Sequence, residues 1–139
     1  MDFGFSEEQE MLRTSARDVL AKECPMTYVR RMMDDDRGFT DAQWRKMAEL
    51  GWMGLVLPEA HGGAGLTFVD LVVVLEEMGR VVLPGPFFST VVLGGVAIAE
   101  GGSAAQHEEY LPAIASGERR VTVAQLEPSG RWDADGIQL

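Results

Sequence analysis

The sequence predicts a mainly α fold: an up-and-down bundle of about six helices, followed by one or two strands that begin a truncated β domain. Three observations predict it. Apolar residues recur at three- and four-residue spacing in the first and central runs, as one face of a helix requires. Ser6, Thr40 or Asp41, and Ser103 stand as N-caps in front of helical runs. After Gly117 the pattern changes to the β-branched, extended run RVTVAQL, Arg120 to Leu126. Residues 1–118 are therefore read as a helical domain and 119–139 as the start of a β domain.

The elements follow in order. Ser6, with Glu7 and Glu8 in the first turn and Gln9 at the capping-box position, opens a helix to about Glu23, with Met11, Leu12, Ala16, Val19 and Leu20 inward. Pro25 stops it and starts a short helix through Met33. The third helix runs to about Leu50, with Trp44, Met47 and Ala48 inward, and Gly51 ends it. Leu55, Val56 and Leu57 are expected to enter the next loop in extended form. That loop, LPEAHGGAGLTF, carries Pro58, Gly62, Gly63 and Gly65 and opens into a helix from Phe68 to Val82. Phe68, Leu71, Val72, Leu75 and Met78 form its apolar face, widened by Val73 and Val74, so burial on most sides is expected, with closure by Gly79 and Pro84. Glu76 and Glu77 lie at the wrong end for the helix dipole, and Arg80 is expected to offset them. A further apolar helix runs from Phe87 or Ser89 to Glu100, and the last from Ala104 to Ala115, closing at Gly117. Two strand fragments cannot make a stable sheet, so the C-terminal stretch reads as a β domain cut short.

Composition sets bounds. The 139 residues suffice for one core, and 46% hydrophobic with 24% charged residues is the mix of a folded globular chain. A net charge of −10 argues against nucleic acid and against an anionic membrane surface as partners. The apolar run from Val91 to Ala99 is too short to span a bilayer, and the acidic N-terminus is no signal peptide. The expected compartment is the cytoplasm. Cys24 is the single cysteine, which excludes an intramolecular disulfide and a CxxC site and leaves a structural thiol.

No catalytic constellation is visible. The glycines of the central loop lack the GK[ST] of a P-loop and the order of a dinucleotide fingerprint, so they read as a structural elbow. Asp34, Asp35 and Asp36 lack the alternating spacing of a calcium loop and read as a solvated turn. His61, near Glu59 in the loop, sketches an acid–base pair that no nucleophile accompanies, and His107 is expected at the surface.

Four collinear segments are similar to the N-terminal part of the acyl-CoA dehydrogenase family: FSEEQEMLRTSARDVLAKE, PEAHGGAGLTFVDLVVVLEEMGRV, GSAAQHEEYLPAIASGE and VAQLEP. The resemblance implies part of a flavoprotein that takes hydrogens from the α and β carbons of an acyl-CoA and passes a hydride to FAD. It implies acyl-CoA as substrate, electron-transfer flavoprotein as acceptor, and assembly as a homo- or hetero-oligomer of dehydrogenase subunits with the remaining domains of the protein. It places Pro86, Phe87, Ser89, Thr90 and Leu93 along the acyl chain, and Ala124, Gln125 and Leu126 against the flavin. It places the catalytic Glu in a later helical domain, so this chain has no catalytic residue and is expected to be inactive alone. Leu126 stands where the family has Thr, and Trp132 where it has Ser. Such departures fit a flavin-deficient subunit of a heteromeric dehydrogenase, including those acting on steroid side chains.

Overall fold

A computed structural model describes residues 4–125, 128, 130 and 131. The described residues form six α-helices: α1 (Glu7–Glu23), α2 (Met26–Met33), α3 (Asp41–Glu49), α4 (Phe68–Arg80), α5 (Val96–Gly101) and α6 (Ala104–Ala115). Short 3-10 turns at Trp52–Gly54 and Glu59–His61 lie between α3 and α4, and a π-helical segment, Phe88–Gly95, runs directly into α5.

Local sequence determines most helix starts. Ser6, Thr67 and Ser103 each make a capping box, with Gln9, Asp70 and Gln106 returning the hydrogen bond. Thr40 caps α3 through the Gln43 amide. These caps satisfy amide donors that have no partner within the helix.

The elbow is a backbone crossing. Residues 63–66 double back on 54–58, with Gly63 N donating to Pro58 O at 3.1 Å. Ala64 N donates to Gly54 O, Gly65 N to Leu57 O and Leu66 N to Leu55 O, each at 2.9 Å. A Cβ at position 63 would lie 2.0 Å from the Leu57 carbonyl oxygen, so only glycine fits. The stretch from Leu55 to Leu57 is a turn, not the extended entry expected: Leu55 has helical dihedrals, and Leu57 N donates back to Gly54 O. A compact turn is what brings these carbonyls round to meet the returning chain.

Two cross-ties fix α4 beside α1. Gln9 Nε2 donates to Asp70 Oδ1 at 2.9 Å, and further along both helices Arg17 donates to both oxygens of Glu77, at 3.0 and 2.7 Å. The ties come in the same order along both helices, so α1 and α4 run parallel. Between them Ala16, Leu20, Leu71, Val74 and Met78 are buried, in one cluster with Trp44, Trp52, Met53, Phe87 and Val91. Each large apolar side chain so buried stabilises the fold by roughly 1.5–3 kcal/mol.

Three features of α4 differ from the sequence reading. Phe68 and Val72 are exposed, at 52% and 42%, because the buried stripe is set by Leu71, Val73, Val74, Glu77 and Met78. Glu77 is only 2% exposed and is held chiefly by Arg17 of α1, with Arg80 second at 3.2 Å. The helix ends at Arg80, and Gly79 lies inside it. Its end is a Schellman turn, with Val82 N donating to Gly79 O and Leu83 N to Met78 O. Val82 occupies the left-handed position, φ 53°, that glycine usually fills.

Elsewhere, Trp44 Nε1 donates to Gly117 O at 2.7 Å and ties α3 to the end of α6. Cys24 is buried and free, and desolvation pushes its thiol up. Asp35 closes its turn by accepting from the Arg37 and Gly38 amides. Among the described residues no strand forms. Residues 119–125 make no ladder with any described residue, and Leu126 and the rest of the expected strand region lie almost wholly outside the described residues.

The ion pair and the strained turn of α4 can each be tested by substitution. The Arg17 guanidinium holds the Glu77 carboxyl below the usual glutamate range, by hydrogen bonding first and charge second. The folded carboxyl thus binds its proton later than the unfolded one as pH falls. Its stabilisation is complete above about pH 4.5 and is lost as pH drops through the folded pKa. Glu77→Gln should cost about 1–3 kcal/mol at neutral pH, a difference from wild type that shrinks on acidification in urea unfolding. Arg17→Met, which leaves the carboxylate buried without its main partner, should destabilise more than Glu77→Gln in the same measurement. Val82→Gly should raise stability by about 1 kcal/mol with an unchanged urea m-value, by removing a left-handed β-branched residue.

Candidate functional site

The segment after α4 cannot continue as an ordinary helix, because Pro84-Gly85-Pro86 interrupts it. Phe87 then buries its ring, 3% exposed, and anchors the next helix. Instead of one α-helix to Glu100, residues 88–95 wind as a π-helix before α5 begins. The wider winding carries Gly94 against the chain after α6. A Cβ on Gly94 would lie 2.4 Å from Val121 Cγ2. Short π segments of this kind interrupt helices mostly where function requires a local change of face.

Thr90, in the middle of this segment, is fully buried. Its Oγ1 accepts a long hydrogen bond from Val121 N at 3.4 Å, and its own amide donates to Pro86 O at 2.9 Å. Ser89 Oγ donates to the same Pro86 carbonyl at 3.1 Å. Between the π segment and residues 120–122 lies a cavity of about 310 Å³, walled by Pro86, Ser89, Thr90, Phe39, Arg120, Val121 and Thr122. The Arg120 guanidinium sits 5.5 Å from the Phe39 ring centre and 5.7 Å from that of Trp44.

Of the residues expected along an acyl chain, Pro86, Ser89 and Thr90 thus share one cavity. Phe87 instead lines a separate apolar groove of about 420 Å³, with Leu75, Met78, Val82, Leu83 and Phe88. Leu93 is 42% exposed and lines neither of these two. Phe39, Arg120 and Thr122 carry no site signal in the sequence, because no motif joins positions so far apart. Ala124 and Gln125 are exposed and make no hydrogen bond to a described residue, whereas Leu126 lies outside the described residues.

Among the described residues the walls hold hydroxyls and one cation, and no acid–base pair. His61 and His107 meet edge to face, ring centres 5.8 Å apart. His107 is half-buried, not at the surface as expected: its Nε2 lies 2.9 Å from Ile98 O and bridges α5 to α6. A ring nitrogen facing a carbonyl oxygen must carry the hydrogen, so His107 is a structural donor. Among the described residues no group of three or more His, Cys, Asp or Glu could hold a metal ion, and no helix is long and apolar enough to cross a membrane.

The sequence profile described as acyl-CoA dehydrogenase, N-terminal domain, matches residues 6–118. The chain belongs to the acyl-CoA dehydrogenase family. Acyl-CoA dehydrogenase IpdE2 of Mycobacterium tuberculosis is 39% identical over 60% of this chain and 27% of its own length. The structure of the ChsE4-ChsE5 complex from Mycobacterium tuberculosis superposes with a TM-score of 0.84 at 27% identity, over 94% of this chain and 36% of that one. An acyl-CoA dehydrogenase complexed with FAD from Bacillus anthracis gives a TM-score of 0.79 at 26% identity, over 89% of this chain and 22% of that one. This acyl-CoA dehydrogenase domain therefore spans about a third or less of the length of these relatives.

The contact between the π segment and Val121 can be tested in the domain itself. Thr90→Val keeps the shape and removes the acceptor, so it should cost about 1 kcal/mol and speed amide exchange at Val121 several-fold. Gly94→Ala should cost more, about 2 kcal/mol, by forcing Val121 away. Exchange at Val121 unchanged in Thr90→Val would show that the bond carries no weight.

Proposed function

We propose that the chain is the N-terminal part of a flavin-dependent acyl-CoA dehydrogenase, which oxidises the Cα–Cβ bond of an acyl-CoA thioester. The family match over residues 6–118 carries this reading. In it, residue 118 ends the helical domain and residues 119–139 begin a β domain. Pro86, Phe87, Ser89, Thr90 and Leu93 wall the acyl chain. The apolar character of the Phe87 groove and of the Pro86–Thr90 cavity supports that role, since an acyl chain gains by leaving water.

A bound FAD would supply the hydride acceptor. On this reading the backbone groups of Ala124 and Gln125 would meet it, beside Leu126, whose side chain has no hydrogen-bonding group to offer the ring. The catalytic base is supplied from outside the chain, so the 139 residues alone are inactive. Electron-transfer flavoprotein is the proposed acceptor, and the cytoplasm the proposed compartment, in keeping with the unpaired, buried Cys24 thiol.

A second reading has a specific observation behind it. Leu126 and Trp132 depart from the family pattern at the flavin strand, and a two-component complex is among the structures with the same helical fold. The chain then belongs to the flavin-deficient subunit of a heteromeric dehydrogenase, and its partner carries the competent site.

The test is made on the complete protein, alone and co-expressed with a candidate partner subunit. Bound flavin should be present and should bleach when a saturated acyl-CoA is added. One flavin per subunit in a homo-oligomer supports the first reading, and one per unlike pair supports the second. Protein that stays colourless in every combination and oxidises no acyl-CoA would remove both.

A further inference from the structure

Among the described residues, Arg120 is held by aromatic rings and not by an acid. Arg13, Arg17, Arg37, Arg80 and Arg119 each reach a carboxylate within 3.4 Å. Arg120 reaches none among the described residues and donates no hydrogen bond to any of them. What holds it is the pair of rings beneath it, Phe39 and Trp44, and Trp44 is itself fixed by its bond to Gly117 O. Ring contacts of this kind engage the positive charge and leave the N–H donors unspent.

Arg120 lines the cavity that Pro86, Ser89 and Thr90 share, and it is the one charged residue among the described residues of that wall. The Thr122 hydroxyl lines the same cavity and likewise makes no hydrogen bond to a described residue. In a chain of net charge −10, a cavity whose described wall residues include a cation and no acid stands against the overall field. A guanidinium matches two oxygens of one anionic group better than any other side chain.

We propose that Arg120 is a specificity-determining residue that binds an anionic oxygen group, a carboxylate or a phosphate, of the acyl-CoA ligand entering this cavity. Thr122 donates a further hydrogen bond to the same group. A volume of about 310 Å³ admits a segment of such a ligand, not the whole thioester. The proposal rests on the acyl-CoA reading given above and narrows it. The anionic group is either a carboxylate at the far end of the acyl chain or the 3′-phosphate of the CoA, and the two sources separate by experiment.

The complete enzyme with its flavin is compared as wild type, Arg120→Met and Arg120→Lys by calorimetric binding of three ligands. These are a short straight-chain acyl-CoA ending in methyl, its analogue ending in carboxylate, and the methyl-ended analogue on CoA lacking the 3′-phosphate. If the acyl carboxylate is the partner, Arg120→Met weakens that ligand alone by about 10- to 100-fold. If the 3′-phosphate is the partner, both intact CoA ligands weaken by that factor and the dephospho ligand does not. In either case Arg120→Lys restores part of the loss. Unchanged binding of all three ligands overturns the proposal, as does an equal loss for all three, which marks a general disturbance of the Phe39–Trp44 support. Wild type that binds none of them overturns the acyl-CoA reading itself, and this inference with it.

Discussion

The backbone crossing at Gly63 is the constraint on which the rest of the domain depends. Four main-chain hydrogen bonds fold residues 63–66 onto 54–58, and the contact with the Leu57 carbonyl leaves no room for a side chain. That crossing delivers Thr67 to its capping box and starts α4 at a fixed place. It also buries Leu57 in a cluster with Leu111 and Ile114, so the same turn seats α6. A loop built this way behaves as a rigid corner, since its backbone polar groups find partners within the corner itself.

From that corner, α4 is threaded through the centre of the fold beside α1. Its apolar residues supply the driving force, and Glu77 supplies the register. A carboxylate 2% exposed would be costly without partners, and Arg17 and Arg80 meet it from water-facing positions. Because the arginines remain half in water, the pair avoids desolvating two charges at once. The parallel order of the Gln9–Asp70 and Arg17–Glu77 ties allows one sliding position of α1 along α4. The strained Val82 then ends α4 and turns the chain toward Phe87.

The candidate site is assembled from three parts distant in sequence. The loop before α3 gives Phe39, the π segment gives Ser89 and Thr90, and the chain after α6 gives Arg120 to Thr122. The Trp44–Gly117 bond holds the third part against the first, and the close approach of Gly94 to Val121 holds it against the second. The cavity is therefore a by-product of how α6 ends rather than of any one motif. The proline-glycine break and the apolar run are legible in the sequence, the expectation of an acyl wall there comes only from the family resemblance, and the cation beside them is not legible at all.

The sequence by itself determined the helices, their caps and the glycine elbow, because these rest on contacts within a few residues: Ser6 with Gln9, Ser103 with Gln106, Pro25 at the start of α2. Four collinear motifs likewise disclosed the family. Tertiary structure alone decided which face of α4 is buried, since Phe68 and Val72 satisfy the helical period as well as Leu71 and Val74 and only packing against α1 separates them. It decided that Glu77 belongs to Arg17, sixty residues away, before Arg80, three residues away. It decided that residues 88–95 are π-helical and that Arg120 rests on two rings. Each of these depends on a neighbour brought up by the chain's return, and periodicity carries no information about which neighbour that will be.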